Sequence, residues 1–258
     1  MRYHQFFTPE PLPAAIERST YDSDRFGLSI GRLELGAVDA RHTPDAIRGL
    51  LRACPHELVI LRYPSAQVNW FARLLDPSYT LIQADTLLYW SRPLCATDAT
   101  PELTLPVYEA SDMGQLATLV RSIFVAYTNH YAANPDLPTS NAIEGYVEWA
   151  QSWAMHPDRS CLLVGLTDQP LGMVTVDVTD QIAEIALIGT TPEARGRGVA
   201  AELMRCAQAW AVQRGAHTLV ISTQAHNMRI QRVWSREGYR PLASLNTLHI
   251  RLHRAGKP

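Results

Sequence analysis

The sequence predicts an α/β (α+β) chain: a mixed central sheet flanked by helices, preceded by a smaller, degenerate version of the same plan. Three observations predict it. Strand and helix periodicities alternate in the order β-α-β-α-β twice along the 258 residues. Between the two runs, Ser91 to Leu105 (SRPLCATDATPELTL) shifts to small, polar and proline residues, as a connection does. Thr190 to Arg205 (TTPEARGRGVAAELMR) then leads from a strand end through a glycine-bearing loop into a helix. The boundary falls near residue 95, giving domains 1–95 and 96–258.

Taken in order, the opening MRYHQFFTPEPLP carries Pro9, Pro11 and Pro13 and reads as an extended arm. Regular pattern begins near Phe26. Leu28–Leu35 reads as a strand, Pro44–Cys54 as a helix and Glu57–Tyr63 as a strand. Gln67–Asp76 comes next as a helix with Val68, Phe71, Leu74 and Leu75 on one face, then Thr80–Trp90 as a strand pair or one long strand. After the connection come strand Leu105–Glu109 and a helix capped by Ser111 or Asp112 that turns Leu116, Leu119, Val120, Ile123 and Phe124 inward. A loop spans Tyr127–Asn141, and a helix Ala142–Met155. Cys161–Leu166 and Leu171–Asp177 form a hairpin. The second β-α-β-α-β run is Ile182–Ile188, Val199–Arg214, His217–Thr223, Met228–Arg236 and Leu245–Leu252. The matching order of the halves predicts an internal duplication whose first copy, with Ala40–Asp45 (ARHTPD) at the loop position, has no glycine to admit a pyrophosphate. The alternative is that two α/β halves share an order because such halves commonly do.

The composition narrows the function classes. With 47% hydrophobic residues the chain has a sizeable core. A formal charge of −2 argues against a nucleic-acid or membrane surface. No apolar run approaches the ~18 residues of a membrane span, so a cytoplasmic location is expected. Cys54, Cys95, Cys161 and Cys206 are scattered in apolar surroundings, which predicts buried free thiols and neither a metal site nor a disulfide framework. The aromatic and apolar content permits a homodimer.

The glycine loop is an anion cradle in type: successive backbone N–H groups and the positive end of a helix bind phosphate. A P-loop needs Gly-Lys-Ser/Thr, but Gly198 is followed by Val199 and Ala200. A dinucleotide site fits Gly196, Gly198 and Ala201, yet wants an acidic residue about 20 positions on. From Leu203 through Arg236 there is neither Asp nor Glu.

Arg195, Gly198 and Ala200 match Arg/Gln-x-x-Gly-x-Gly/Ala, and with the preceding strand, the hairpin and the closing NMRIQRVWSREGY, residues from about 103 to 253 resemble a complete GCN5-related N-acetyltransferase (GNAT) domain. DSDRFGLSIGRLEL (22 to 35), HYAANPD (130 to 136) and STQAHN (222 to 227) are similar to the TDP-fucosamine acetyltransferase group, which also has a shortened N-terminal domain. The resemblance implies a GNAT fold, acetyl-CoA as cofactor and direct attack by the amine of a small molecule on the thioester. It implies that the pyrophosphate is held by Arg195, Gly196, Arg197, Gly198, Val199 and Ala200. The pantetheine arm then lies along Ile188, Gly189 and Thr190, and Asn227 caps the next helix and touches that arm. Glu184, four residues before Ile188 and so on its strand face by the period of two, is the candidate base, with His130 second; a structural role for Glu184 is the alternative. His130, Tyr131, Tyr146 and Trp149 are candidate acceptor contacts, although aromatic residues at helical spacing are core more often than ligand contacts. The family's usual tyrosine acid corresponds to Trp234, whose indole is too weak an acid to deliver a proton. A nucleotide-linked amino sugar is the expected acceptor. An acyl-CoA-binding protein with weak or regulatory function is the alternative.

Overall fold

The computed structural model describes residues 3–253. In chain order it has β1 (Glu17–Arg18), α1 (Thr20–Phe26), β2 (Ile30–Glu34), α2 (Pro44–Ala53), β3 (Leu58–Pro64), α3 (Trp70–Leu74), β4 (Tyr79–Pro93), β5 (Val107–Glu109) and α4 (Met113–Phe124). Then come α5 (Thr139–Ala154), β6 (Arg159–Leu166), β7 (Gln169–Thr179), β8 (Ile182–Thr190), α6 (Val199–Gln213), β9 (Thr218–Gln224), α7 (Met228–Arg236) and β10 (Arg240–Leu252). The result is a mixed α/β fold of sheet and flanking helices, as expected. Among the described residues no helix is long and apolar enough to cross a membrane.

The chain divides into two compact units that are not contiguous in sequence. One takes the described residues up to Leu88, residues 129–141 and those from Ala243 on; the other takes 89–128 and 142–242. In the first unit the strand order is β1-β2-β3-β10-β4. Strands β2 and β3 run parallel, and Leu245–Arg251 of β10 lies antiparallel to β3. One sheet face packs Leu33, Val59, Leu61, Leu248 and Ile250 against Ile47 and Leu51 of α2. That helix is well specified locally: Thr43 accepts the Ala46 N–H at 3.1 Å and Pro44 occupies the first turn.

In the second unit the order is β4-β9-β8-β7-β6-β5. Its sheet is covered on one face by α6, through Val199, Leu203, Met204, Ala207 and Trp210, and on the other by α4 and α5, through Leu116, Val120, Ile123, Phe124, Val147 and Ala150. Asp112 caps α4, accepting the Gly114 and Gln115 N–H groups at 2.8 and 3.0 Å, and all five residues expected to face inward are buried.

Four local expectations are corrected. The helix expected over 67–76 is the five-residue α3, with Val68 85% and Leu75 57% exposed; the buried residues are Trp70, stacked on Tyr63, and Leu74. Helix α1 was not expected, because it buries Asp22 and Ser23 rather than an apolar stripe. Helix α5 starts at Thr139, ahead of Ala142. Cys54, Cys161 and Cys206 are buried, but Cys95 is exposed, its Sγ 3.1 Å from Thr97 Oγ1.

Gly189 lets α4 approach β8: a Cβ there would overlap the Ile123 side chain. Gly189→Ala is therefore expected to lower stability by about 1–3 kcal/mol, read from urea unfolding, with the loss relieved by a second change, Ile123→Ala.

Candidate active site

The site is built on an irregularity in β8. Strand β7 pairs Thr175 with Leu187 and then Val176 with Ile185, so Ala186 is an extra residue, a β-bulge. Thr175, fully buried, stabilises it by accepting the Leu187 N–H on its hydroxyl at 2.8 Å. On the other edge the parallel ladder of β8 with β9 runs from Ile182 opposite Thr218 to Ile185 opposite Ile221 and ends there. Beyond the bulge, Leu187 to Thr190 keep β7 as a partner but leave β9. An edge with unpaired backbone groups is a template for an extended ligand.

The bulge also corrects the geometry expected for Glu184. Ala183 and Ile185 pack on the α6 side, but Leu187 packs on the α4–α5 side, and Ile188 returns to the α6 side. The alternation is broken at Ala186, so Glu184 shares a face with Leu187, the α4–α5 face, and not with Ile188. It is half-buried, opposite Asp177 on β7 and Val220 on β9.

Downstream of β8, a 3-10 turn at Pro192–Ala194 leads to Gly196 and Gly198, both in the left-handed region at φ 79° and 82°. Gly198 is the N-cap of α6 and carries no side-chain cap. The Arg195 and Arg197 N–H groups are taken by the Pro192 and Ala194 carbonyls, both at 3.3 Å. Among the described residues the N–H groups of Gly196, Gly198, Val199 and Ala200 make no such backbone bond. The cradle is thus four amides and a helix N-terminus, and nothing lies within 4 Å of a Cβ built on either glycine. Arg195 and Arg197 flank it.

At the end of β9 a polar chain lies beside the parted edge. The Tyr127 hydroxyl reaches Thr223 Oγ1 at 3.3 Å and bonds Gln224 Oε1, and Asn227 Nδ2 donates to Thr223 Oγ1 at 3.1 Å. Asn227 sits at the N-cap of α7, but its side chain makes no cap bond; it is spent on Thr223 instead. Trp234 is 1% exposed, edge-on to Trp90 inside the α6-side core. Tyr239 is buried nearby, its hydroxyl accepting from Gln208 Nε2 at 3.2 Å, and burial raises its pKa.

The four aromatic candidates separate. Tyr146 stacks on Phe124 with ring centroids 4.5 Å apart, and Trp149, partly exposed, meets Trp153 edge-on at 5.7 Å; both lie on α5 of the second unit. His130 and Tyr131 belong to the first unit. There they cover the sheet face opposite its apolar core. Tyr131 donates to Asp22 Oδ1 at 2.6 Å and accepts from Arg32 at 3.1 Å, while Arg32 Nε donates to Asp22 Oδ2 at 2.6 Å. Glu34 binds both Arg32 and Arg62. His130 Nδ1 meets His249 Nε2 at 2.9 Å. Burial, with the neighbouring arginines, keeps both imidazoles neutral: it holds His130 well below its ordinary value and His249 at about 4. Burial pushes the Tyr131 phenol up to about 12. Burial opposes ionisation of Asp22, but the Arg32 charge and the bonds from Arg32, Ser19 and Tyr131 prevail and lower it to about 2.

Sequence reasoning missed Asp177, Tyr127, Thr223 and Gln224 as members of this region. The hairpin register was the available signal for Asp177; nothing local marks Tyr127.

The site thus joins a parallel strand pair parted at a bulge to a glycine cradle at a helix N-terminus. Residues 126–239 match the sequence model of the Acetyltransferase (GNAT) family. It is 24% identical over 229 residues to the dTDP-fucosamine acetyltransferase of Escherichia coli O6:H1, covering 84% of this chain and 89% of that protein. The fold is shared with a GCN5-related N-acetyltransferase from Sphaerobacter thermophilus, at TM-score 0.54 and 18% identity over 83% of this chain and 66% of that one. It is also shared with a tandem GNAT protein from the clavulanic acid biosynthesis pathway, at TM-score 0.54 and 8% identity over 90% and 77%.

The Asp22 shift has a defined sign. Its carboxyl is depressed in the folded state, so its contribution is present above the unfolded pKa near 4 and lost as pH falls towards 2. Asp22→Asn is expected to cost at least about 2 kcal/mol at pH 7, with the gap to the native protein closing between pH 4 and 2 in denaturant titrations.

Proposed function

We propose that the protein transfers an acetyl group from acetyl-CoA to the primary amine of a small molecule by direct attack, with a nucleotide-linked amino sugar as acceptor. The observation that carries this is the parted edge of β8 opening onto the glycine cradle. The amides of Gly196, Gly198, Val199 and Ala200, with Arg195 and Arg197, suit a pyrophosphate. Ile188, Gly189 and Thr190 offer the free edge to an amide-bearing arm. Acetyl-CoA supplies the acyl group as an activated thioester. This chain orients the amine and, at Glu184, accepts its proton; the nitrogen lone pair then forms the C–N bond as the C–S bond breaks. The acceptor class rests on the likeness to dTDP-fucosamine acetyltransferase. The reading carries Tyr146 and Trp149, on α5 of the second unit, as acceptor contacts, and sets the enzyme in the cytoplasm as a homodimer. It also takes residues 1–95 as a degenerate copy and 96–258 as the acting domain, on the repeated order β2-α2-β3-α3-β4 and β8-α6-β9-α7-β10.

A second reading, an acyl-CoA-binding protein of weak or regulatory activity, is favoured by Trp234. Buried in the core, it leaves that position without a proton donor to the leaving thiolate. With a thiol pKa near 8.5 the loss costs about 10²-fold in rate.

Two measurements test the proposal. Calorimetric titration with acetyl-CoA is expected to show binding that Gly198→Val removes, since a β-branched residue at φ 82° both strains and fills the cradle; unchanged affinity would refute the loop assignment. Free CoA release across a panel of amines is expected to rise with nucleotide-linked amino sugars and to fall about 10²–10⁴-fold in Glu184→Gln. Binding of CoA with no amine raising the rate would establish the second reading.

A further inference from the structure

Two imidazoles are paired inside the first unit. His130, which opens the His130–Ala133 turn, and His249 of β10 are both buried, and Nδ1 of the first lies 2.9 Å from Nε2 of the second with the rings edge-on. The other nitrogen of His249, Nδ1, is buried with no hydrogen-bond partner among the described residues. Charged and titratable groups share this face from every side. Strand β2 brings Arg32 and Glu34, β3 brings Arg62, and α1 brings Asp22 and Arg25. The turn itself brings Tyr131, and Asp136 beyond it lies 3.8 Å from Arg251 of β10. Asp22 and Glu34 are committed to arginine, Asp22 to Arg32 and Glu34 to Arg32 and Arg62.

A bond between two imidazoles needs one ring to donate and the other to accept. Two neutral rings meet that condition. A proton added to His249 puts a positive charge in a buried layer beside Arg32 and Arg62 and leaves Nδ1–H with no acceptor. A proton on each ring makes all four nitrogens donors, and the bond is lost. The pair ties residues 129–141 to β10. The chain enters this segment from Thr128 and leaves it into Ala142, both of the second unit, and α5 begins within it at Thr139. Its other fastenings include Tyr131 on Asp22 and Arg32, and Asn141 Nδ2 on the Arg25 carbonyl at 3.0 Å. With Asp22 at about 2 and Tyr131 at about 12, neither changes charge between pH 7 and 5, so over that range acid reaches the fastening through the histidines.

We propose that the His130–His249 pair is an acid-released latch: proton uptake by the two rings frees residues 129–141, with the first turn of α5, while the apolar face under α2 stays closed. The inference is independent of the enzymatic reading. Burial, with the arginines, holds His130 well below its ordinary value and His249 at about 4, whereas freed rings take protons near 6.5. The hold is therefore complete above that pH and lost as pH falls towards 4. Asp22 lets go in a separate window, between pH 4 and 2.

Hydrogen exchange on the full chain from pH 7.5 to 4.5 tests the latch without a variant. The reporters are the Ala132, Asn134 and Leu137 N–H groups, which bond carbonyls inside the segment, and the Ile47 N–H of α2, which bonds the Thr43 carbonyl. With intrinsic rates divided out, opening at the first three is expected to rise tenfold to a hundredfold per pH unit below about pH 6, a factor of about ten for each proton taken up, and opening at Ile47 to stay level. Equal acceleration at Ile47 overturns the latch, because the whole unit is then opening, and so does a segment whose opening ignores pH. Nitrogen-15 spectra of the native protein give a second reading. Either ring titrating near 6.5 while Ala132, Asn134 and Leu137 stay protected overturns the pairing. In His249→Gln, which can hold the bond but not the proton, the slope is expected to drop to at most about tenfold per pH unit, and with His130→Gln added it is expected to vanish. An unchanged slope in a folded His249→Gln assigns the acid response to other groups and overturns the proposal; where that variant fails to fold, the two native measurements decide.

Discussion

One extra residue governs the second unit. Ala186 has no partner on β7, and the strand that carries it cannot stay parallel to β9 beyond Ile185. A bulge increases local twist and bends the strand, and here it does so where the ladder ends. The bend would leave the Leu187 N–H without a backbone acceptor inside a buried layer, which costs about 1–3 kcal/mol. Thr175 removes that cost with its hydroxyl, which is why a polar residue is fully buried in the middle of an apolar hairpin. The free edge and the change of face both result from this arrangement.

The first unit solves a different problem. Its sheet has one apolar face closed by α2 and one face on which Arg32, Glu34, Arg62, Thr247 and His249 point towards α1 and the His130–Ala133 turn. Burying so many polar groups is rarely a route to net stability, because desolvation consumes most of what the ion pairs return. The favourable terms are geometric: Asp22 binds Arg32 and Tyr131 at once, so α1 and the turn are held in one register. Such a network is intolerant of change in any one member, unlike an apolar layer of the same area.

Much of this was legible in the sequence. Helices α2 and α4 announce themselves by caps and an apolar stripe, α6 and α7 by their apolar positions alone, and Val199 and Ala200, directly after Gly198, separate the glycine loop from a P-loop. The failures share a cause. Helix α1 was hidden because Asp22 and Ser23 are buried by hydrogen bonds that come from residues 7 to 109 positions away. Helix α3 was overextended because Val68 and Leu75 fit an apolar period yet lie on solvent. The placing of Glu184 and Ile188 on one face assumed an unbroken period of two, and a bulge leaves no mark in a run such as AEIALI. Cys95, between Leu94 and Ala96, looks like core by its neighbours, but its exposure is set by the turn around Asp98. Local chemistry was readable; facts that depend on register were not.

Register also gives the two faces of the second sheet different chemistry. The α4–α5 face carries Glu184, Asp177 and Arg159, charged groups in register on three neighbouring strands. The α6 face carries Ala183, Ile185, Ile188 and, from α7, Trp234 with Trp90, whose indoles are too weak as acids to deliver a proton. The proposed acetyl transfer takes Glu184 as its base, while Trp234, buried among apolar side chains, offers the leaving thiol no acid. A thiolate, being the conjugate base of an acid near pKa 8.5, can leave unprotonated, whereas an ammonium cannot attack at all. Of the two proton transfers, the proposed reaction therefore depends on the one at the amine nitrogen.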